Sequence, residues 1–269
     1  MLSFPNAKIN LGLHITAKRP DGFHDLETCL YPVGWCDILE VIQGKEVDFT
    51  YSGLPIEGDP KDNLCFKAYE LLQSDCDLPP IQLQLHKGIP LGAGLGGGSA
   101  DAASTLLTLN KKFSLNLDHV VLKKYAAQLG SDCPFFIDNT PSFATGKGDT
   151  LEPANVDLTG NHVVIVNPGL HISTAQAYSN VTPRKPSASL REILDRPLGS
   201  WKETLVNDFE ENIFRDYPEI KQIKKQLYDQ GAFYSSMSGS GASVYGLFDE
   251  EINLDQPFPP HYKCFQTAL

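Results

Sequence analysis

Pro90-Leu91-Gly92-Ala93-Gly94-Leu95-Gly96-Gly97-Gly98-Ser99-Ala100-Asp101-Ala102-Ala103 places five glycines within seven positions, directly ahead of a Ser-Ala stretch with the composition of a helix start. Without a Cβ, successive backbone N–H groups can turn toward one point, and a helix N-terminus adds roughly half a positive charge there. This is the build of an anion site, and phosphate is the guest it fits. A glycine-rich turn without a ligand is the plainer reading. So many glycines, however, cost conformational entropy that a bare connection has no reason to bear.

The surrounding residues narrow the choice among phosphate cradles. No Gly-Lys-Ser or Gly-Lys-Thr occurs in the chain, which excludes the Walker-type loop. Gly92, Gly94 and Gly97 satisfy Gly-x-Gly-x-x-Gly, a weak pattern in so rich a run. The segment before it, Ile81-Gln82-Leu83-Gln84-Leu85-His86, alternates apolar and polar. Alternation predicts an antiparallel strand with one covered face, not the doubly buried first strand of a dinucleotide fold. About twenty residues on, where that fold carries a ribose-binding acid, Asp118 instead opens a helical pattern.

The chain has 269 residues, 41% hydrophobic and 20% charged, enough for one or two domains with a real core. Its net charge of −11 argues against general affinity for nucleic acid or anionic membrane, so an anionic substrate must find locally positive ground. Neither a cleavable leader nor an apolar run of about 18 residues is present, and a cytoplasmic protein is expected. The six cysteines include no Cys-x-x-Cys and read as thiols in a reducing compartment. The seven histidines show no metal-binding spacing, so any metal is expected to arrive with nucleotide.

From Lys8 to Thr16, Ile9, Leu11, Leu13 and Ile15 alternate with Lys8, Asn10, Gly12 and His14, which predicts a strand with Lys8 and Asn10 on one face. Taken alone, that face reads as solvated surface. Strands are expected at 27–32, 37–42 and 47–51, and helices at 62–72 and 99–110. Asp118 caps a further helix that Gly130 ends in the left-handed conformation, and a strand follows through Phe135, Phe136 and Ile137. Asp132, just before that strand, reads alone as a turn carboxylate. Lys87 has two readings, as a contact to adenine or phosphate and as a solvated strand-end charge.

In the second half a buried strand is expected around Val163–Val166, a surface loop over 182–189 and helices at 190–194, 201–212 and from Pro218 to Gly231. Strands at 243–248 and 262–267 complete an α+β layer. Ser238 and Ser240 do not meet the nucleophile-elbow pattern Gly-x-Ser-x-Gly, so Ser238-Gly239-Ser240-Gly241-Ala242 is read as a turn closing over the active site.

Five separated blocks make the whole chain resemble the GHMP kinase superfamily. They are Pro5-Asn6-Ala7-Lys8-Ile9-Asn10-Leu11, Asp21-Gly22-Phe23-His24, the glycine loop, Gly130-Ser131-Asp132-Cys133-Pro134-Phe135, and Ser238 to Ala242. The resemblance implies an α+β, two-domain GHMP kinase fold, its N-terminal half ribosomal-protein-S5-domain-2-like and its C-terminal half ferredoxin-like. Residues 1–157 would be the ATP-phosphate-binding and catalytic domain and 158–269 the C-terminal domain. The first two blocks are the more specific ones. They point to the branch that phosphorylates the 2-hydroxyl of 4-diphosphocytidyl-2-C-methyl-D-erythritol. A sibling kinase of the superfamily, a dinucleotide-binding oxidoreductase and a nucleotide-binding module without turnover are the alternatives.

Carried onto this sequence, the resemblance makes Lys8 and Asp132 the catalytic pair, Lys8 keeping Asp132 ionised and steadying phosphoryl oxygens. It assigns ATP binding to Lys87, Pro90, Leu91, Gly92, Ala93, Gly94, Leu95, Gly96, Gly97, Gly98, Ser99 and Ala100, with Ser99 as the nominated Mg²⁺ ligand. Asn10, Phe23, His24 and Tyr178 are the implied substrate contacts, the aromatic rings flanking the pyrimidine. Position 23 is often Tyr in the superfamily branch, so here the stacking face is kept and a hydroxyl is lost. Lys147 departs from the usual acidic pattern around it and carries no functional expectation. The expected partners are ATP and a cytidine diphosphate derivative, with no nucleic acid or membrane, in a monomer or weak homodimer.

Overall fold

The computed structural model describes residues 1–179, 181–186, 188–253 and 258–269. Its strands are β1 (Leu2–Ser3), β2 (Asn6–Lys18), β3 (His24–Cys36), β4 (Ile38–Gln43), β5 (Asp48–Gly53), β6 (Ile81–Lys87), β7 (Ser142–Thr145), β8 (Thr150–Pro153), β9 (His162–Asn167), β10 (Tyr234–Met237), β11 (Val244–Phe248) and β12 (Lys263–Ala268). The α-helices are α1 (Leu64–Asp75), α2 (Gly97–Lys112), α3 (His119–Leu129), α4 (Phe135–Asp138), α5 (Thr174–Ser179), α6 (Leu190–Leu194), α7 (Trp201–Thr204), α8 (Glu210–Asp216) and α9 (Pro218–Asp229). The mixture is α+β, as expected. Among the described residues no helix is long and apolar enough to cross a membrane.

The chain divides into two compact units that interleave along the sequence. Unit 1 is Met1–Ala7, Trp35–Leu91 and Gly96–Thr140; unit 2 is Lys8–Gly34, Gly92–Leu95 and Pro141–Leu269.

Unit 1 is built on the sheet β1-β4-β6-β5. Strand β6 pairs antiparallel with β4, as its alternation predicts, and also parallel with β5, which the pattern does not reveal. Its Ile81, Leu83 and Leu85 are buried. The parallel pair β5 and β6 is joined through α1, ahead of the glycine loop; no described strand of this sheet follows β6 in sequence, so the loop and α2 do not lead into a next parallel strand as they would in a dinucleotide fold. Helices α1 and α2 pack on each other and α2 packs on β4. The small residues Ala100, Ala102 and Ala103 of α2 are buried and permit a close approach.

Asp118 caps α3 by accepting a hydrogen bond from Val121 N at 2.8 Å. Gly130 does end this helix, but with φ of 169° it is extended and not left-handed. The run Phe135-Phe136-Ile137 is a one-turn helix instead of the expected strand. All three side chains are buried, and a short apolar run has no period with which to tell the two apart.

Unit 2 holds the sheets β2-β3-β7-β8 and β10-β11-β9-β12. The helix expected over 201–212 is broken into α7 and α8, because the backbone between them pairs with β2. Leu13 N donates to Val206 O, Asp208 N donates to Leu13 O, and Leu13 bridges to Asn207. Helix α9 runs from Pro218 as predicted, and buries Ile220, Ile223 and Leu227 in a core with Val244 and Phe248. Of the surface loop expected over 182–189, Ser187 lies outside the described residues.

Candidate active site

In unit 1 the loop feeding α2 is anchored from below by a buried ion cluster. Lys87, 1% exposed, points from the covered face of β6 and donates to both Asp37 and Asp101, the latter at 2.8 Å. The reading of Lys87 as a solvated strand-end charge is thereby overturned; the alternation that buries Leu83 and Leu85 buries position 87 as well. Asp37 Oδ1 also accepts from Gly88 N at 2.6 Å and Ile89 N at 2.8 Å, which fixes the backbone leaving β6.

Two carboxylates therefore share one ammonium. Burial would lower the Lys87 value, but the neighbouring Asp101 and Asp37 outweigh it and the ammonium is retained. Burial pushes Asp101 from 3.8 up to about 7, with the second carboxylate adding to it and Lys87 opposing it. An acid whose folded value lies above its unfolded one costs stability as pH rises, because the unfolded chain ionises first. Asp101→Asn should therefore gain on wild type in thermal unfolding as pH rises from about 4 to about 7, with a constant difference below that window. A difference independent of pH across the window would show that the folded carboxylate is ionised throughout.

Within the glycine run itself, Gly92, Gly94 and Gly96 have φ of 60°, 77° and 71°, a conformation that only glycine adopts freely. Helix α2 begins at Gly97 with Gly96 as its N-cap and no side-chain cap. Gly97, Gly98 and Ser99 thus present first-turn amides that have no partner within the helix. The Ser99 hydroxyl interacts with the Cys133 thiol, which burial pushes up to about 11. Next to Cys133, half-buried Asp132 lies in a series of turns closed by Cys133 N to Gly130 O, Phe136 N to Cys133 O and Ile137 N to Pro134 O. Ser99 and Asp132 are neighbours through that cysteine. Sequence alone gave no sign of the link.

In unit 2, Lys8 and Asn10 project from β2 and are each 4% exposed, so their face is buried and not the solvated surface that alternation alone predicts. Lys8 Nζ donates to Asn10 Oδ1 at 2.5 Å, Asn10 Nδ2 to Thr28 Oγ1 at 2.9 Å, and Thr28 to Gly12 O at 2.6 Å. The Tyr245 hydroxyl holds the Asn10 carbonyl at 2.7 Å. Residues of the glycine loop are tied into the same network. Lys8 N donates to Leu95 O at 2.9 Å, Ser243 N to Ala93 O at 3.2 Å and the Ser238 hydroxyl to Gly94 O at 2.7 Å. A Cβ on Gly94 would stand 2.0 Å from Ser238 O, so the two glycine-rich segments touch backbone to backbone. Thr28, Ser238 and Tyr245 were not singled out as site residues. Pairing of β2 with its hairpin partner would have found Thr28, whereas nothing in the sequence joins Ser238 or Tyr245 to Asn10.

The implied pyrimidine contacts also lie in unit 2. His24 and Tyr178 stack on each other, with centroids 4.9 Å apart and planes at 21°, and Tyr178 meets Phe209 edge to face at 4.8 Å. Phe23 is 59% exposed and carries Lys147 Nζ 5.0 Å from its ring centroid. A cation therefore lies over a ring that is largely exposed.

The pattern described as GHMP kinases N terminal domain matches residues 63–146, and that described as GHMP kinases C terminal matches 189–256. The chain is 50% identical over 273 residues to the 4-diphosphocytidyl-2-C-methyl-D-erythritol kinase of Bacteroides fragilis, covering all of both chains. It is 51% identical over 274 residues to the enzyme of that name from Bacteroides thetaiotaomicron, again covering both completely. A crystal structure of 4-(cytidine 5'-diphospho)-2C-methyl-D-erythritol kinase superposes with a TM-score of 0.81 at 32% identity, over 93% of this chain and 91% of that one. Homoserine kinase from Cytophaga hutchinsonii, at 15% identity and a TM-score of 0.61 over 98% of this chain and 94% of its own, shares the fold.

Proposed function

The chain belongs to the GHMP kinase family, and on that premise we propose that it uses ATP to phosphorylate the 2-hydroxyl of 4-diphosphocytidyl-2-C-methyl-D-erythritol in isoprenoid precursor synthesis. The observation that carries the choice of alcohol is the full-length identity of about half to kinases of that name. The reaction class has its own physical support in the left-handed loop and the uncapped start of α2.

Phosphoryl transfer asks little covalent chemistry of a protein; most of the barrier reduction comes from positioning and from neutralising charge. The amides of Gly97, Gly98 and Ser99 cradle the ATP phosphates, and the Lys87 cluster holds the strand end beneath them. Asn10 holds the Lys8 ammonium in place to steady phosphoryl oxygens. Asp132, fixed by its turns, accepts the alcohol proton. The Ser99 hydroxyl and the Asp132 carboxylate, linked through Cys133, suit a divalent cation that keeps most of its ligands from phosphate and water. Such a cation, when bound, would supply charge neutralisation for the transferring phosphate.

The cytosine stacks on the exposed ring of Phe23 and takes hydrogen bonds at its edge from His24; Tyr178, the aromatic expected on the other side of the base, stacks on His24 in this structure. Purified protein given γ-labelled ATP and a panel of alcohols is expected to label the cytidine-diphosphate methylerythritol alone; transfer to homoserine or mevalonate instead would refute the proposal. In the same assay Phe23→Ala should raise KM for the cytidine substrate roughly 10- to 100-fold, the worth of one stacked base, and leave KM for ATP within about twofold. An equal rise for ATP would move Phe23 out of the pyrimidine site.

A further inference from the structure

We infer that Thr28 is a positioning residue for the reaction: its hydroxyl decides which end of the Asn10 carboxamide meets Lys8, and so holds the Lys8 ammonium where it steadies phosphoryl oxygens. The inference rests on that reading of Lys8. Thr28 acts through Asn10 and needs no contact with substrate.

The direction of the hydrogen bonds carries the argument. A threonine hydroxyl has one hydrogen and two lone pairs. The Gly12 carbonyl, 2.6 Å from Thr28 Oγ1, can only accept, so the hydrogen is committed there. Toward Asn10 the hydroxyl is then an acceptor alone, and the group that meets it at 2.9 Å is the amide nitrogen Nδ2. Asn10 Oδ1 is thereby turned to the other side, where Lys8 Nζ donates to it at 2.5 Å. An ammonium carries donors only, so the reverse amide orientation would set donor against donor at Lys8 and lone pair against lone pair at Thr28.

All three bonds point one way, from the ammonium to a main-chain carbonyl of β2, and each polarises the next. Lys8, Asn10 and Thr28 are all buried, which leaves water little access as a substitute acceptor. Thr28 is also rigidly placed. It sits on β3, an interior strand of the sheet β2-β3-β7-β8, in register with Ala144 of β7. Its β-branched side chain has little freedom at χ1.

Ser238 shows where the amide turns without Thr28. The Ser238 hydroxyl donates to Gly94 O at 2.7 Å and lies 3.4 Å from Asn10 Oδ1, so toward Asn10 it presents lone pairs. An Nδ2 deprived of Thr28 has this oxygen as its next acceptor, and turning to it swings Oδ1 away from Lys8. The Asn10 main chain stays in place, because the Tyr245 hydroxyl holds its carbonyl at 2.7 Å. Loss of the Thr28 hydroxyl is therefore felt at the ammonium and not in the strand.

The test compares full-length wild type with Thr28→Val, which keeps the shape of the side chain without the hydroxyl, and with Thr28→Ser, which keeps the hydroxyl. Turnover of ATP and the cytidine substrate is followed beside the side-chain NH2 resonances of ¹⁵N-asparagine-labelled protein, the Asn10 signal being assigned by its loss in Asn10→Asp. Thr28→Val should shift that signal, lower kcat roughly 10- to 100-fold and leave KM for ATP within about twofold. Thr28→Ser should bring the signal back and kcat to within about threefold of wild type. Should Thr28→Val fail to fold, Thr28→Cys, whose thiol is a weak acceptor, carries the same expectation. The inference is overturned if loss of the hydroxyl leaves kcat within about twofold of wild type, if Thr28→Ser is as impaired as Thr28→Val, or if the Asn10 signal is indifferent to the hydroxyl. A wild type inactive on the cytidine substrate would sink the functional reading instead, and the Asn10 signal would then decide by itself whether Thr28 orients the amide.

Discussion

Asp132→Asn is expected to lower kcat by roughly 10²- to 10⁴-fold while the affinity for ATP stays near that of wild type. The amide is nearly the same size as the carboxylate, and the turns around position 132 are closed by backbone hydrogen bonds among Gly130, Cys133, Pro134, Phe136 and Ile137. Geometry should therefore survive the substitution. On the proposed mechanism, what is lost is the negative charge that accepts the proton of the substrate alcohol. Steady-state kinetics with both substrates varied would read turnover and ATP affinity separately, and near-normal kcat would remove Asp132 from the chemistry.

Gly98→Val should reduce ATP affinity by 100-fold or more, because close backbone approach is the whole basis of the cradle. Three glycines of the loop make this a controlled experiment. A Cβ at Gly94 collides with Ser238 O at 2.0 Å, and one at Gly97 meets Lys87 Nζ at 2.9 Å and Ile89 Cγ2 at 3.0 Å. Substitutions there disturb the protein itself. At Gly98 the nearest atom is Leu64 Cδ1, 4.0 Å away. The fold has room for that side chain and the phosphates do not, so Gly98→Val should melt within a few degrees of wild type and still fail to bind ATP by calorimetry. Unchanged affinity in a folded variant would refute the cradle, whereas Gly94→Val should melt markedly lower.

Much of this architecture was legible in local pattern. The alternation of β2 and β6, the Asp118 cap, the Pro218 start of α9 and the helix growing out of the glycine run are set by forces acting over a few residues, and they stand as read. The failures share a cause. Phe135–Ile137 lacks a period, and the break between α7 and α8 comes from Leu13, nearly two hundred positions away. Strand β10, Tyr-Ser-Ser-Met, is buried throughout and shows no alternation to read.

The candidate site divides in the same way. Residue types at Lys8, Asn10 and Ser99 could be singled out by motif, but their burial could not. Lys87 was ambiguous because its two carboxylates lie 50 and 14 residues away, at distances with no periodic signature.

The interleaving of the two units sets a practical limit on dissecting the gene. Because β2, most of β3 and residues 92–95 group with the C-terminal sheets, no single scission yields two pieces that each contain one whole unit. Split-protein reporters and minimal-fragment screens built on this chain will have to graft its first hairpin onto the C-terminal half, since an ordinary truncation series would strand it on the wrong side of the cut.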